Sequence, residues 1–169
     1  MSLTFVIGGA RSGKTAYAMS RALSRPAQRR VMIATAQALD EEMAARIARH
    51  RQDRGADWET VEEPLALADA VLGLLPGDVA VIDCLTLWLS NLLLGDIDVA
   101  SAVQALCDAL TATPADVTVV SNEVGQGIVP DNPLARRFRD EAGWMHQAVA
   151  AAADRAVMVV AGLPVALKG

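Results

Sequence analysis

Gly8, Gly9, Ala10, Arg11, Ser12, Gly13, Lys14 and Thr15 follow directly on an apolar run, Leu3–Ile7, near the start of the chain. A glycine, four further residues and then Gly-Lys-Thr is the spacing of a phosphate-binding loop. Glycine lets the backbone turn tightly and aim its N–H groups at phosphate oxygens. A helix opening at Lys14 adds the positive end of its dipole. In such a loop Lys14 reaches the β- and γ-phosphates of a nucleotide, and Thr15 offers its hydroxyl to Mg2+. Asp83 closes the run Val-Ala-Val-Ile-Asp. A carboxylate at a strand end can hold the hydration shell of the same Mg2+, or it can cap the helix that follows.

His50 is the third candidate. On a helix Arg46, His50 and Arg54 would follow one another along a single stripe. Guanidinium groups bias a neighbouring imidazole towards its neutral, nucleophilic form, and they also grip phosphates. Met43 and Ile47 share that face, so a half-buried structural histidine is the competing reading. His146, the other histidine, sits in an alanine-rich helical stretch and reads as structural. The segment Ser121–Pro133 holds two glycines and two prolines and reads as a lid or substrate loop, against a plain surface turn.

These residues need a scaffold, and the hydrophobic pattern describes one. Leu3–Ile7, Val31–Ala34, Val79–Ile82, Val117–Val120 and Val157–Val160 are short, almost continuously apolar runs. Such runs fit strands buried on both faces of a parallel sheet. Helix-compatible stretches lie between them: Lys14–Ser24, Asp40–Arg51, Leu65–Leu74, Thr86–Leu94, Val99–Leu110 and Ala135–Ala153. Asp57–Pro64 adds a short strand before its proline, and Gly162–Gly169 returns as a last edge strand. Alternation of this kind predicts one α/β domain over residues 1–169: a doubly wound, mostly parallel sheet flanked by helices, of the P-loop NTPase type. Ligands in such sheets bind at the carboxyl ends of the strands.

Composition narrows the function classes. With 53% apolar and 21% charged residues, the 169-residue chain is globular rather than disordered. A net charge of −5 argues against a nucleic-acid partner held by bulk electrostatics. Cys84 and Cys107 form no Cys-x-x-Cys pair and read as buried free thiols, suited to a reducing cytoplasm. The opening residues lack the signature of a secretory signal, and no apolar run reaches the roughly 20 residues of a membrane span.

Together, "GGARSGKT", "IATAQALDEEMAARIARHRQDR", "WETVEEPL", "VIDCLTLWLSNLL" and "SNEVGQGIVPDNPLARRFRDEAG" resemble the bifunctional adenosylcobinamide kinase/adenosylcobinamide-phosphate guanylyltransferases of cobalamin biosynthesis. The likeness runs in order along almost the whole chain. It implies an NTP-dependent phosphorylation of adenosylcobinamide, with ATP or GTP as donor. GTP then guanylylates a histidine, and GMP passes to the new phosphate of adenosylcobinamide phosphate. By residue matching, the resemblance makes His50 the guanylylated nucleophile. It also assigns nucleotide contacts to Gly8–Thr15, to Ala34, Thr35 and Ala36, to Arg51, Gln52, Asp53 and Arg54, and to Glu62 and Asp83. A homotrimer is implied as well. The residues by themselves leave two other classes open. One is a monofunctional small-molecule kinase with a structural His50. The other is a GTP-dependent switch protein, for which the chain offers no Asn-Lys-x-Asp guanine motif.

Overall fold

A computed structural model describes residues 2–37 and 57–169. Within it the strands are Ser2–Gly8 (β1), Arg29–Ala34 (β2), Trp58–Glu62 (β3), Asp78–Asp83 (β4), Asp116–Asn122 (β5), Arg155–Val160 (β6) and Leu163–Lys168 (β7). The helices are Lys14–Leu23 (α1), Leu67–Leu72 (α2), Leu85–Leu94 (α3), Val99–Ala112 (α4) and Pro133–Ala152 (α5). The strands form one sheet in the order β3-β2-β4-β5-β1-β6-β7. Every pairing is parallel except β6 with β7, which is antiparallel.

The continuous apolar runs have the expected cause. Leu3, Phe5 and Ile7 of β1 join Val31, Ile33, Ile82, Val117 and Val119 in the larger core, which also takes Leu67, Trp88, Leu106 and Met145 from α2, α3, α4 and α5. The alternate positions Met32, Val79, Val81 and Val120 pack with Ala18 and Ala22 of α1. Side chains alternate across a strand, so burial on both faces leaves no polar phase. The short strand expected near Asp57–Pro64 is β3, at one edge of the sheet. The returning strand expected at the carboxyl end is β7, at the other edge, with Leu163, Val165 and Leu167 exposed.

Helix boundaries differ from the apolar pattern in instructive ways. The last helix starts at Pro133, because Asn132 accepts hydrogen bonds from Leu134 N (2.8 Å) and Ala135 N (3.2 Å) and proline suits the first helical position. The segment Ser121–Pro133 is correspondingly shorter as a loop: Ser121 and Asn122 complete β5, and Pro133 opens α5. The helix expected over Asp40–Arg51 lies outside the described residues.

At the amino end of the sheet, Asp78 is 4% exposed and accepts from Arg29 Nη2 at 2.6 Å and from Leu75 N at 2.8 Å. The Arg29 guanidinium, assisted by the Leu75 amide, holds the Asp78 carboxyl below its ordinary range against the opposing effect of burial.

Candidate nucleotide-binding site

The phosphate loop is shaped by close backbone approaches. A Cβ on Gly8 would lie 2.6 Å from the Val159 carbonyl oxygen and 2.6 Å from Ser12 Oγ, so only glycine fits. Gly13 has φ +94°, and a Cβ there would come within 3.2 Å of Gly162 Cα. Gly162 N donates to Ser12 O at 2.8 Å, tying the loop to the turn between β6 and β7. Gly13 is the N-cap of α1 and supplies no side-chain acceptor to the helix start. The first amides of α1 are thereby left for an anion. Lys14 is buried, and its Nζ donates to Gly9 O at 3.1 Å. The buried Ser12 Oγ has no partner among the described residues.

Three neighbouring strands end at the same carboxyl side of the sheet as this loop. Ala34 of β2 is in register with Glu62 of β3 on one side and Asp83 of β4 on the other. Asp83 lies one strand beyond β1's neighbour, since β5 intervenes; Thr15 closes the gap, its Oγ1 donating to Asp83 Oδ2 at 3.1 Å. The carboxylate does not cap the following helix, for α3 begins at an N-cap Cys84 with no side-chain hydrogen bond. Thr35 is fully buried and clasps β4: its Oγ1 donates to Cys84 O at 2.8 Å and accepts from Cys84 N at 3.0 Å. Asn91 of α3 donates to Thr35 O (2.9 Å) and Pro64 O (3.0 Å), fixing the exits of β2 and β3 together. Ala36, next along, is half-buried.

Both cysteines are buried free thiols. Burial, with Asp83 adding to it, pushes the Cys84 thiol up, so it is a packing group and not a nucleophile.

The sequence singles out Ser121–Pro133 as a lid or substrate loop without assigning its members, and the end of β5 gives Ser121, Asn122 and Glu123 individual places. Ser121 Oγ lies 2.7 Å from His146 Nε2, and Asn122 Nδ2 donates to Thr86 Oγ1 at 2.7 Å. Glu123 N donates to Gly8 O at 2.9 Å. The available signal was "SNE" at a strand's carboxyl end, polar residues where ligands bind. His146 is buried against Phe5, ring centroids 5.8 Å apart, and burial lowers its pKa, with Glu123 opposing. It is a partnered core histidine, as its helical surroundings suggest.

His50, Arg46, Arg51, Gln52, Asp53 and Arg54 lie outside the described residues. Of the other expected positions, the structure brings Gly8–Thr15, Ala34–Ala36, Glu62 and Asp83 to one edge of the sheet. Chemically, Lys14 and the free amides of the loop suit a triphosphate. The Thr15 hydroxyl and Asp83 carboxylate are two hard oxygen donors side by side, which fits Mg2+ shared between a protein carboxylate and substrate phosphates.

Comparison with solved structures agrees on the fold. FlaH, a flagellar accessory protein from Methanocaldococcus jannaschii, matches over 99% of this chain and 78% of its own, with a TM-score of 0.52 at 12% identity. An ATPase from the type III secretion system of pathogenic bacteria matches 98% of this chain and 56% of its own, with a TM-score of 0.53 at 13% identity. Sequence relatives are more informative. The bifunctional adenosylcobalamin biosynthesis protein CobP of Pseudomonas aeruginosa is 48% identical, over 97% of this chain and 96% of that protein. The corresponding CobU of Salmonella typhimurium is 42% identical, over 98% of this chain and 99% of that protein. The CobU family model, described as cobinamide kinase / cobinamide phosphate guanyltransferase, matches residues 4–167. With that match and these relatives, the chain belongs to the CobU family of cobinamide kinases and cobinamide phosphate guanyltransferases.

Proposed function

We propose that this enzyme phosphorylates adenosylcobinamide with ATP or GTP and then transfers GMP from GTP to the product through His50, giving adenosylcobinamide-GDP and pyrophosphate. The observation that carries the reading is the joined geometry of the phosphate loop and the β4 end: Lys14 held at Gly9 and Thr15 held at Asp83. Both half-reactions move a phosphorus group of a triphosphate, and both need its charge gathered at one place.

In the first step, the loop amides and Lys14 hold the triphosphate with its γ-phosphorus presented to the aminopropanol hydroxyl. The P–O bond to the β-phosphate breaks as the new one forms. Thr15 and Asp83 would hold a Mg2+ ion, which would supply charge neutralisation to the triphosphate. In the second step the neutral imidazole of His50 attacks the α-phosphorus of GTP and pyrophosphate leaves. The phosphate of the corrinoid then displaces His50 and takes the GMP. Arg51 and Arg54, with Gln52 and Asp53 between them, steady the nucleotide from the His50 segment; Ala34–Ala36 and Glu62 contact it from the ends of β2 and β3. The assembly is a cytoplasmic homotrimer without a nucleic-acid partner. No described helix is long and apolar enough to cross a membrane.

The test is intact-protein mass after GTP treatment, beside a phosphorylation assay on the same preparation. Wild type gains one GMP. His50→Asn folds, gains none and retains a measurable part of its kinase activity, since phosphoryl transfer needs no histidine adduct. Kinase activity with no adduct on wild type would reduce the enzyme to a simple small-molecule kinase.

A further inference from the structure

A cavity of about 660 Å³ opens between the phosphate loop, the loop after β5 and the end of β6. Gly9, Arg11 and Ser12 line one side, Glu123 and Gly127 a second, and Met158 the β6 side. It includes neither Thr15 nor Asp83 and so is separate from the metal-side half of the nucleotide site. Its wall at Gly9 is nevertheless the place where Lys14 Nζ is held, 3.1 Å from the Gly9 carbonyl. The ammonium expected to meet the β- and γ-phosphates does not itself line the cavity, but it is one hydrogen bond from a residue that does.

Glu123 supplies the one carboxylate among the cavity's described lining residues. It stands on a rigid base, because three consecutive residues are each tied to a different element: Ser121 to His146 of α5, Asn122 to Thr86 of α3, and Glu123 N to Gly8 O of β1. Glu123 Oε1 accepts from Gly125 N, and Oε2 makes no hydrogen bond among the described residues. Other carboxylates of the sheet edge are less suited. Asp83 is engaged by Thr15, and Glu62 lies on β3, separated from β1 by β2, β4 and β5.

We infer that this cavity is the acceptor subsite of the kinase half-reaction, receiving a short alcohol-bearing arm, and that Glu123 is the general base. The inference rests on the kinase reading above and deepens it. The Glu123 carboxylate takes the hydroxyl proton as the alcohol oxygen bonds to the γ-phosphorus. The bond from that phosphorus to the β-phosphate oxygen breaks, the nucleoside diphosphate leaves with its electron pair, and Glu123 returns the proton to solvent. Arg11, on the same wall, then faces a phosphate monoester in place of an alcohol. Only the arm enters; the macrocycle stays outside the mouth.

Two variants test it with ATP and adenosylcobinamide. Glu123→Gln keeps an oxygen for the Gly125 amide, so the loop geometry persists while the base is lost. Its kcat for phosphorylation falls by about 100-fold or more, with KM for ATP unchanged. Gly127→Trp is sterically free at the backbone, since a Cβ there meets nothing within 4 Å. It fills the cavity and raises KM for adenosylcobinamide by about 10-fold or more, leaving KM for ATP unchanged. A Glu123→Gln enzyme within about threefold of wild-type kcat, or a Gly127→Trp enzyme with an unmoved corrinoid KM, overturns the subsite. Wild-type enzyme that phosphorylates no cobinamide overturns the function itself, and the two failures are thereby told apart. Should Glu123→Gln not fold, Gly127→Trp decides alone.

Discussion

Lys14 illustrates how much rests on one ammonium group. It is buried and bonded to the Gly9 carbonyl, and in the proposed reaction it meets the β- and γ-phosphates, where a triphosphate carries most charge. Removing one such preorganised donor typically costs about 100- to 1000-fold in rate. Lys14→Ala is therefore expected to lose phosphorylation and GMP adduct formation together by at least about 100-fold, measured in parallel assays. Near-normal phosphorylation would remove the loop from the mechanism. His146 makes a different statement, about stability. Burial lowers its folded-state pKa, so between the ordinary histidine value of about 6.5 and that lowered value the unfolded chain binds more protons. Stability is then complete above about pH 6.5 and falls as the pH drops towards the folded pKa. His146→Gln, which can still meet Ser121, is expected to flatten the fall in melting temperature between pH 7.5 and 5.5. An unchanged slope would assign the acid sensitivity to other groups.

Among the elements, the strand ends carry the candidate site, and their legibility in the sequence is uneven. The apolar runs show β1, β2, β4, β5 and β6 because two-sided burial removes all polar alternation. Gly8–Thr15 is readable because its geometry is local: eight consecutive residues make the whole loop. Asp83 is readable as a strand-end carboxylate serving the same Mg2+ as Thr15, whereas their direct hydrogen bond is not, since the two meet only through the strand order that sets β5 between β4 and β1. The segment holding Glu123 reads as a lid or substrate loop, but the place of the carboxylate is hidden for the same reason: the cavity it lines is made from three distant segments. The start of the last helix at Pro133 is missed by two residues, because the apolar period begins at Ala135 and the cap made by Asn132 lies outside it. The tight contact of Gly8 with β6 gives a prediction at this scale. Gly8→Ala pushes a methyl against the Val159 carbonyl, a backbone atom that cannot rotate away. Its expected cost is about 1–3 kcal/mol in denaturant unfolding, with nucleotide affinity reduced as well. Wild-type stability and affinity in that variant would show that β1 and β6 can separate without consequence.

The whole molecule divides its labour between the two ends of one sheet. Carboxyl ends of the strands hold the polar site, and the amino end holds the Arg29–Asp78 pair that anchors β2 to β4. With its carboxyl depressed, Asp78 contributes stability present above the ordinary aspartate pKa of about 4 and lost as the pH falls through the folded value. Asp78→Ala is expected to cost about 3 kcal/mol at neutral pH, the low end for a broken buried pair because Arg29, 36% exposed, regains water. Urea unfolding at pH 7 and pH 3.5 checks it: the difference between variant and wild type should shrink in acid. A constant difference would mean the carboxylate acts by packing alone.

The bond from Gly162 to Ser12 joins a turn close to the carboxyl terminus to a loop close to the amino terminus. During synthesis the loop sequence leaves the ribosome early, while its brace and both flanking strands, β5 and β6, emerge long afterwards. A nascent chain stalled before β5 therefore carries every residue of the phosphate loop without the strands that flank β1 or the Gly162 amide that braces Ser12. The shape of the loop is thus completed by segments far along the chain from it, and the order of synthesis places its residues before the strands and the turn that hold them.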